Sequence, residues 1–318
     1  MSSRNLKTYI LMLSLTVVLV ALSAIPTIAV SILCSTITAA ILAYSITRFS
    51  PKYIVFHGCL ILVLNILFLG NLFGAIMTAL PVLLCGLAMG ICYNLKISTA
   101  KLLCSSTAVY VISFVINIKC MKATASGKTI FEDAIAFLGQ TYKESLMAIT
   151  STNLSPDELN HIVSELTSTL LVLSPGFIVI ACGLMAFISY FAFCRILSMQ
   201  HENTENLNAF STWKAEKSIC IIYFIIAVLY FISPVDTWVS NISLNMIMVM
   251  TVVFFIFGLS FTEYKLKNRF SSVILRRLIL LVISFCSITF TGIPFFVLST
   301  IGVFDGFFDY RHRKKHIG

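Results

Sequence analysis

Few side chains in this sequence could do chemistry, and most of them interrupt long apolar runs. His57 and Asn65 share one such run, and Asn117, Asn241 and Asn245 stand in later ones. An imidazole placed there could hold a ligand or pass a proton. It could equally sit at the headgroup boundary near Lys52. Asparagines in apolar helices either line a cavity or join helices by hydrogen bonds. His57, Asn65, Asn117 and Asn245 are therefore the candidate ligand-binding residues. Near the end, Asp305 and Asp309 are four apart and are followed by Arg311. Two carboxylates with a base suggest acid–base or metal chemistry, but a metal site wants more ligands of fixed geometry. No such ligands stand nearby, so an interfacial ion pair of Asp309 with Arg313 at i,i+4 is the expected role. Metal and cofactor are not expected. No Walker A, HExxH, GxSxG or dinucleotide-type glycine pattern is present, and the expectation is a protein that is not an enzyme.

The elements that hold these residues are dictated by composition. The chain has 318 residues, 58% hydrophobic and 11% charged, with a mean hydropathy of +0.98. Soluble domains carry about 25% charged residues. A soluble core could not hide this much apolar surface, so the bilayer is the expected partner. The formal charge of +9 would suggest nucleic acid in a soluble protein. Here the basic residues sit at the ends of apolar runs, and basic patches interleaved with aromatics are missing, so no nucleic acid is expected. Nine of the ten cysteines fall in or beside apolar runs, Cys120 being the exception, without CxxC or Cys/His spacing. They read as small packing residues.

Taken in order, the runs predict helices near 9–24 and 27–46 around Pro26, then 53–70 and 74–94 around Gly70-Asn71, and a fifth over 102–118. A polar stretch from Lys119 to Ser168 follows, with Glu132, Asp133, Glu144, Asp157, Glu158 and Glu165. Phe131, Ile135, Leu138, Tyr142, Leu146 and Ile149 recur at helical spacing, predicting an amphipathic helix over 129–149 that lies along the membrane surface. Ser155-Pro156-Asp157-Glu158 is a helix start with a Ser cap. That helix continues into a sixth membrane segment near 170–194, kinked at Pro175-Gly176. Helices near 218–234 and 239–262 come next. A last run, 278–304, is broken by Gly292-Ile293-Pro294 into a short hairpin. The sum is an all-α polytopic membrane helix bundle of eight to ten membrane segments with an external amphipathic helical stretch. Its parts are a five-helix block over 1–118, the external stretch over 119–168, and a second membrane block with a basic tail over 169–318.

With the N-terminus inside, Arg48 and Lys52, Lys96 and Lys101, Arg195, and the cluster from Lys265 to Arg277 all fall on the cytoplasmic side of a cell (inner) membrane. The stretch 119–168 falls outside, and the hairpin returns the tail to the cytoplasm. Gly86 and Gly90 are four apart within a helix, a spacing that admits a close neighbour, and Ala39 with Ala43 makes a similar small face. Gly70 and Gly74 have the same spacing but read as the turn.

The closing Ile301-Gly302-Val303-Phe304-Asp305-Gly306-Phe307-Phe308-Asp309-Tyr310-Arg311 resembles the terminal IGxxDxxFDxR pattern of the YybS-like family, multi-pass bacterial membrane proteins of unknown function. Leu173-Ser174-Pro175-Gly176, Phe210-Ser211-Thr212-Trp213 and Phe257-Gly258-Leu259-Ser260 also fit that family, although Phe257 stands where a Gln is frequent. The likeness covers essentially the whole chain and implies no catalytic or binding residue. Gly302, Asp305, Asp309 and Arg311 are its most distinctive positions. Leu80 to Gly90, followed by a basic turn at Lys96, is similar to the substrate-capturing subunits of energy-coupling-factor vitamin transporters. Their AxxxA docking face is on the first helix, whereas Ala39/Ala43 is on the second. Two functions are expected in turn. One is binding or translocation of a small-molecule solute. The other is a membrane scaffold that recruits a membrane protein partner without transport.

Overall fold

The computed structural model describes residues 3–25, 27–120, 130–149, 156–200, 210–267, 269–289 and 292–311. Eleven α-helices and no strand occur among them: α1 (Ser3–Ser23), α2 (Ile28–Arg48), α3 (Pro51–Leu69), α4 (Leu72–Asn94), α5 (Thr99–Cys120), α6 (Ile130–Ile149), α7 (Pro156–Met199), α8 (Lys217–Ile232), α9 (Trp238–Lys267), α10 (Val273–Thr289) and α11 (Ile293–Phe308). Seven of these, α1 to α5, α7 and α9, are long and apolar enough to cross a membrane, and α8 and α11 are shorter apolar helices. The protein is a polytopic membrane helix bundle. Pro26 and the Ser155 cap lie outside the described residues.

Local chemistry sets the helix ends. Pro51 opens α3, where its missing N–H costs nothing. Gly70 closes α3 in the left-handed region (φ +67), its N–H on the Ile66 carbonyl. Asn71 then caps α4 by accepting from the Gly74 N–H at 2.8 Å. Gly70 and Gly74 thus belong to a turn. The 278–304 run is two helices, α10 and α11, with Gly292 at φ +68 between them and Pro in the first turn of α11.

The chain forms two compact units, 1–170 with 178–205, and 171–177 with 206–318. In the first, α2 packs on α1, α3 and α4, and α4 packs on α5. Its small residues permit this: a Cβ on Gly86 would meet the Ala39 carbonyl at 2.9 Å, and one on Gly90 would meet the Ala43 carbonyl at 2.9 Å. The α2 and α4 backbones touch where Gly86, Gly90, Ala39 and Ala43 face one another, a close packing that small residues allow in lipid. Tyr110 and Ser189 tie α5 to α7 through their hydroxyls at 2.9 Å. α6 does not lie by itself: Lys143 Nζ donates to Asn160 Oδ1 at 2.7 Å, and a Cβ on Gly139 would come 2.9 Å from Thr167 Oγ1. α6 and the start of α7 therefore form a helical hairpin.

In the second unit α9 is the centre, packed on α8, α10, α11 and the 3-10 turn at Phe210–Thr212. α9 and α11 run parallel. Ser299 Oγ, in the first half of α11, donates to the Thr251 carbonyl in the middle of α9 at 3.1 Å, and Tyr264 Oη near the end of α9 donates to the Arg311 carbonyl just past α11 at 3.2 Å. Gly258 and Gly302 sit at the crossing, where a Cβ on either would run into the backbone of the other helix.

Candidate functional site

Three helices of the first unit meet on one imidazole. His57 is fully buried. Its Nε2 lies 2.9 Å from Thr16 Oγ1 on α1, and its Nδ1 lies 2.9 Å from Ser45 Oγ on α2. Each hydroxyl also reaches back to its own helix, Thr16 to the Met12 carbonyl and Ser45 to the Ile41 carbonyl. A neutral imidazole has one donor and one acceptor, and a hydroxyl can match either. His57 is thereby satisfied inside the bundle. The sequence could not show this partnership, because the matching hydroxyls lie on other helices.

Asn65 borders a small polar niche at one end of the same helices. Its Nδ2 donates to the Ile61 carbonyl at 2.8 Å, and its Oδ1 accepts from Thr78 Oγ1 at 3.1 Å. Ser23, Ser31, Ser35 and Thr38 line the opposite side of a space of about 40 Å³. A water needs about 10–15 Å³ of such space, so the niche has room for a few waters or an ion. Ser31, Ser35 and Thr38 recur at i, i+4 and i+7, a hydroxyl stripe that was legible in the sequence but hidden among apolar neighbours.

The remaining asparagines are engaged by backbone. Asn117 is half-buried, and its amide returns to the Ser113 carbonyl of its own helix at 3.0 Å. Asn245, in the second unit, repairs a helix. Pro175 inside α7 cannot donate, and its ring disturbs the turn before it. Asn245 Oδ1 accepts from the Gly176 N–H at 2.7 Å, and its Nδ2 donates to the Val172 carbonyl at 2.7 Å. Those two groups are i and i+4, the pair a regular helix would join to each other. The side-chain amide is inserted between them. Its second N–H goes to the Asn241 carbonyl at 2.8 Å, so both donors are used.

The most elaborate polar constellation closes the chain. Arg311 is 8% exposed and Asp305 1%. Arg311 Nε donates to Asp305 Oδ2 at 2.8 Å. Its Nη1 donates to the Ser211 carbonyl, and its Nη2 to the Trp213 carbonyl at 2.8 Å and to Ser260 Oγ at 3.3 Å. Ser260 Oγ also bonds the Phe210 and Trp213 carbonyls at 2.6 Å. The guanidinium lies over the Phe261 and Tyr264 rings. Asp309 ends α11 in the left-handed region and pairs with Lys214 at 3.0 Å. The expected Asp309–Arg313 pair falls on Arg313, which lies outside the described residues. Asp305 Oδ1 is buried with no partner among the described residues.

Three separated stretches, Phe210–Trp213, Phe257–Ser260 and Gly302–Arg311, thus converge on one guanidinium. A family model described as a predicted membrane protein, DUF2232, matches residues 14–306. The chain belongs to the DUF2232 family. No curated protein and no solved structure matches it. Within this DUF2232 chain the four residues of the closing pattern have separable duties. Gly302 admits α9, Asp305 neutralises Arg311, Asp309 ends the helix, and Arg311 holds the 210–213 turn. Ser211, Trp213 and Ser260 are partners that the spacing of the pattern could not reveal, because two of them contribute a backbone carbonyl. Among the described residues no group of three or more His, Cys, Asp or Glu is placed to hold a metal.

Proposed function

We propose that this protein is a membrane scaffold that holds the α6–α7 hairpin clear of the bilayer, on the outer side of a cell membrane, for a protein partner. The carrying observation is the length of α7. Its 44 residues extend about 66 Å at about 1.5 Å per residue, while the hydrocarbon core takes about 20 residues. Counting about twenty residues back from Arg195 reaches Pro175. From Asp157 to Glu165 the helix is charged; from there to Arg195 it carries no Asp, Glu, Lys or Arg. The segment before Pro175 is the extramembrane arm, and α6 packs on it. On the arm Phe137 is 69% exposed, with Leu138, Tyr142 and Met147 exposed beside it. Exposed aromatic and aliphatic side chains on a polar helix supply the apolar centre that protein interfaces use.

A second reading, capture of a small solute, is supported by the resemblance of the front half to vitamin-capturing subunits and by the hydroxyl-lined niche beside Asn65, which as it stands has room for a few waters or an ion. One experiment separates the two. A photoreactive residue is placed at Phe137 or Tyr142 in the intact protein in cells, and the purified protein is scanned for thermal shift with a vitamin and nucleoside panel. The scaffold reading expects a discrete protein crosslink and no shift. Lipid adducts alone, or no adduct, together with a saturable shift, would overturn it in favour of solute capture.

A further inference from the structure

The two cations that close the second unit are neutralised, Arg311 by Asp305 and Lys214 by Asp309. The turn between α9 and α10 is different. Lys265, Lys267, Arg269, Arg276 and Arg277 fall within thirteen residues, and none of them pairs with a carboxylate among the described residues. Glu263, the acid of this stretch, is half-buried one turn earlier and pairs with none of the five. Lys265, Lys267, Arg269 and Arg277 are exposed. Arg276 is half-buried and donates Nη1 to the Phe270 carbonyl at 3.0 Å, which holds the turn closed. α10 begins here, so the unsatisfied N–H groups of its first turn add to the positive field. Apolar side chains alternate with the cations: Phe270, Leu275 and Leu278 are exposed, and Ile274 is 79% exposed.

A surface of unpaired cations interleaved with exposed aliphatic groups, at the end of a membrane helix, matches a phosphate that carries acyl chains. We propose that the α9–α10 turn binds the headgroup of an anionic phospholipid. Lys267, Arg269 and Arg277 meet the phosphate, and Ile274 and Leu278 meet the first carbons of the chains. A free phosphate shares the anionic chemistry but leaves the apolar side chains in water. Basic residues beside an anionic membrane surface act in this way, and counterion screening weakens them. The site stands independently of the scaffold reading.

The test uses the full chain purified in neutral detergent and titrated with phosphatidylglycerol or phosphatidylcholine, with bound lipid counted by native mass spectrometry. Phosphatidylglycerol is expected to bind at several-fold lower concentration. The double variant Arg269→Gln/Arg277→Gln is expected to weaken phosphatidylglycerol by about tenfold or more and to leave phosphatidylcholine unchanged. Both replaced side chains are exposed, and an unchanged melting temperature checks the fold; if the pair melts early, Arg277→Gln alone is used. Lys96→Gln/Lys101→Gln, at a basic turn of the first unit, is expected to change nothing. Equal binding of the two lipids, or an unaffected double variant, would mean that these charges serve only to orient the helices, and the proposal fails. Full displacement of the lipid by glycerol phosphate at matched concentration would assign the site to a free phosphate and also overturn it.

Discussion

At the scale of single residues, polar groups in this chain are consumed by one another. His57 uses both ring nitrogens on Thr16 and Ser45. Asn245 uses both N–H groups and an oxygen lone pair on backbone. Arg311 is the extreme case, because a guanidinium cannot shed its charge to escape burial. It is buried with a carboxylate, two carbonyls and a hydroxyl. Removing one partner of a buried pair strands the other, at a cost of about 3–5 kcal/mol. Arg311→Ala is therefore expected to lower the melting temperature sharply. Arg311→Lys should recover little, since an ammonium lacks the fork that reaches Asp305 and the 210–213 carbonyls together. The rim pair Lys214–Asp309 is partly exposed, and Asp309→Asn should cost under about 1 kcal/mol. Thermal unfolding of the three purified variants checks this ordering. An Arg311→Ala protein as stable as Asp309→Asn would refute it.

At the scale of elements, close backbone approach organises each unit. α2 meets α4 at Gly86 and Gly90, and α9 meets α11 at Gly258 and Gly302. Within lipid, small residues gain contact area for the helices that face them. The glycines are not equivalent to others in the chain. A Cβ on Gly58 would find Leu83 at 3.7 Å, an ordinary contact. Gly58→Ala should be neutral or mildly stabilising, since it also removes chain entropy. Gly302→Ala must push α11 away from the Phe254 carbonyl, and is expected to cost at least the about 1–3 kcal/mol of an overpacked core. Limited proteolysis and unfolding in detergent compare the two variants. Equal protease resistance would show that the crossing tolerates a methyl group. The four-residue spacing of Gly86 and Gly90 was legible beforehand. Gly258 stands alone on α9, so no repeat announces its notch; its partner Gly302 is followed by Gly306 four residues on, where a Cβ would meet Cys220 Sγ at 2.7 Å instead of α9.

At the scale of the whole molecule, α10 returns the chain across the span of α9, and the parallel course of α9 and α11 brings residues 309–311 back to the close of α9. A reporter fused after Gly318 and one inserted at Ser271 are expected to report the same side, the cytoplasm if the basic turns orient the chain. A reporter joined at Cys120 is expected on the opposite side. Opposite readings at Ser271 and Gly318 would mean that α10 and α11 do not form a crossing hairpin.

Hydropathy alone determined that the chain is a helical membrane bundle, because about twenty apolar residues in succession have no other solvent and no other hydrogen-bonded form in lipid. Gly70 and Gly292 marked helix ends in advance, since their backbone limits act locally. The continuation of α6 into a hairpin with α7 was only half legible: periodicity showed the helices, and Lys143–Asn160 with Gly139–Thr167 showed that they pair. What only tertiary structure decided is the fate of the polar residues. His57, Asn65 and Asn245 look alike in sequence, as isolated polar groups among apolar ones, and Arg311 looks like one more base of a charged closing run. Their partners are hydroxyls and carbonyls on other helices, and a carbonyl has no letter in the sequence.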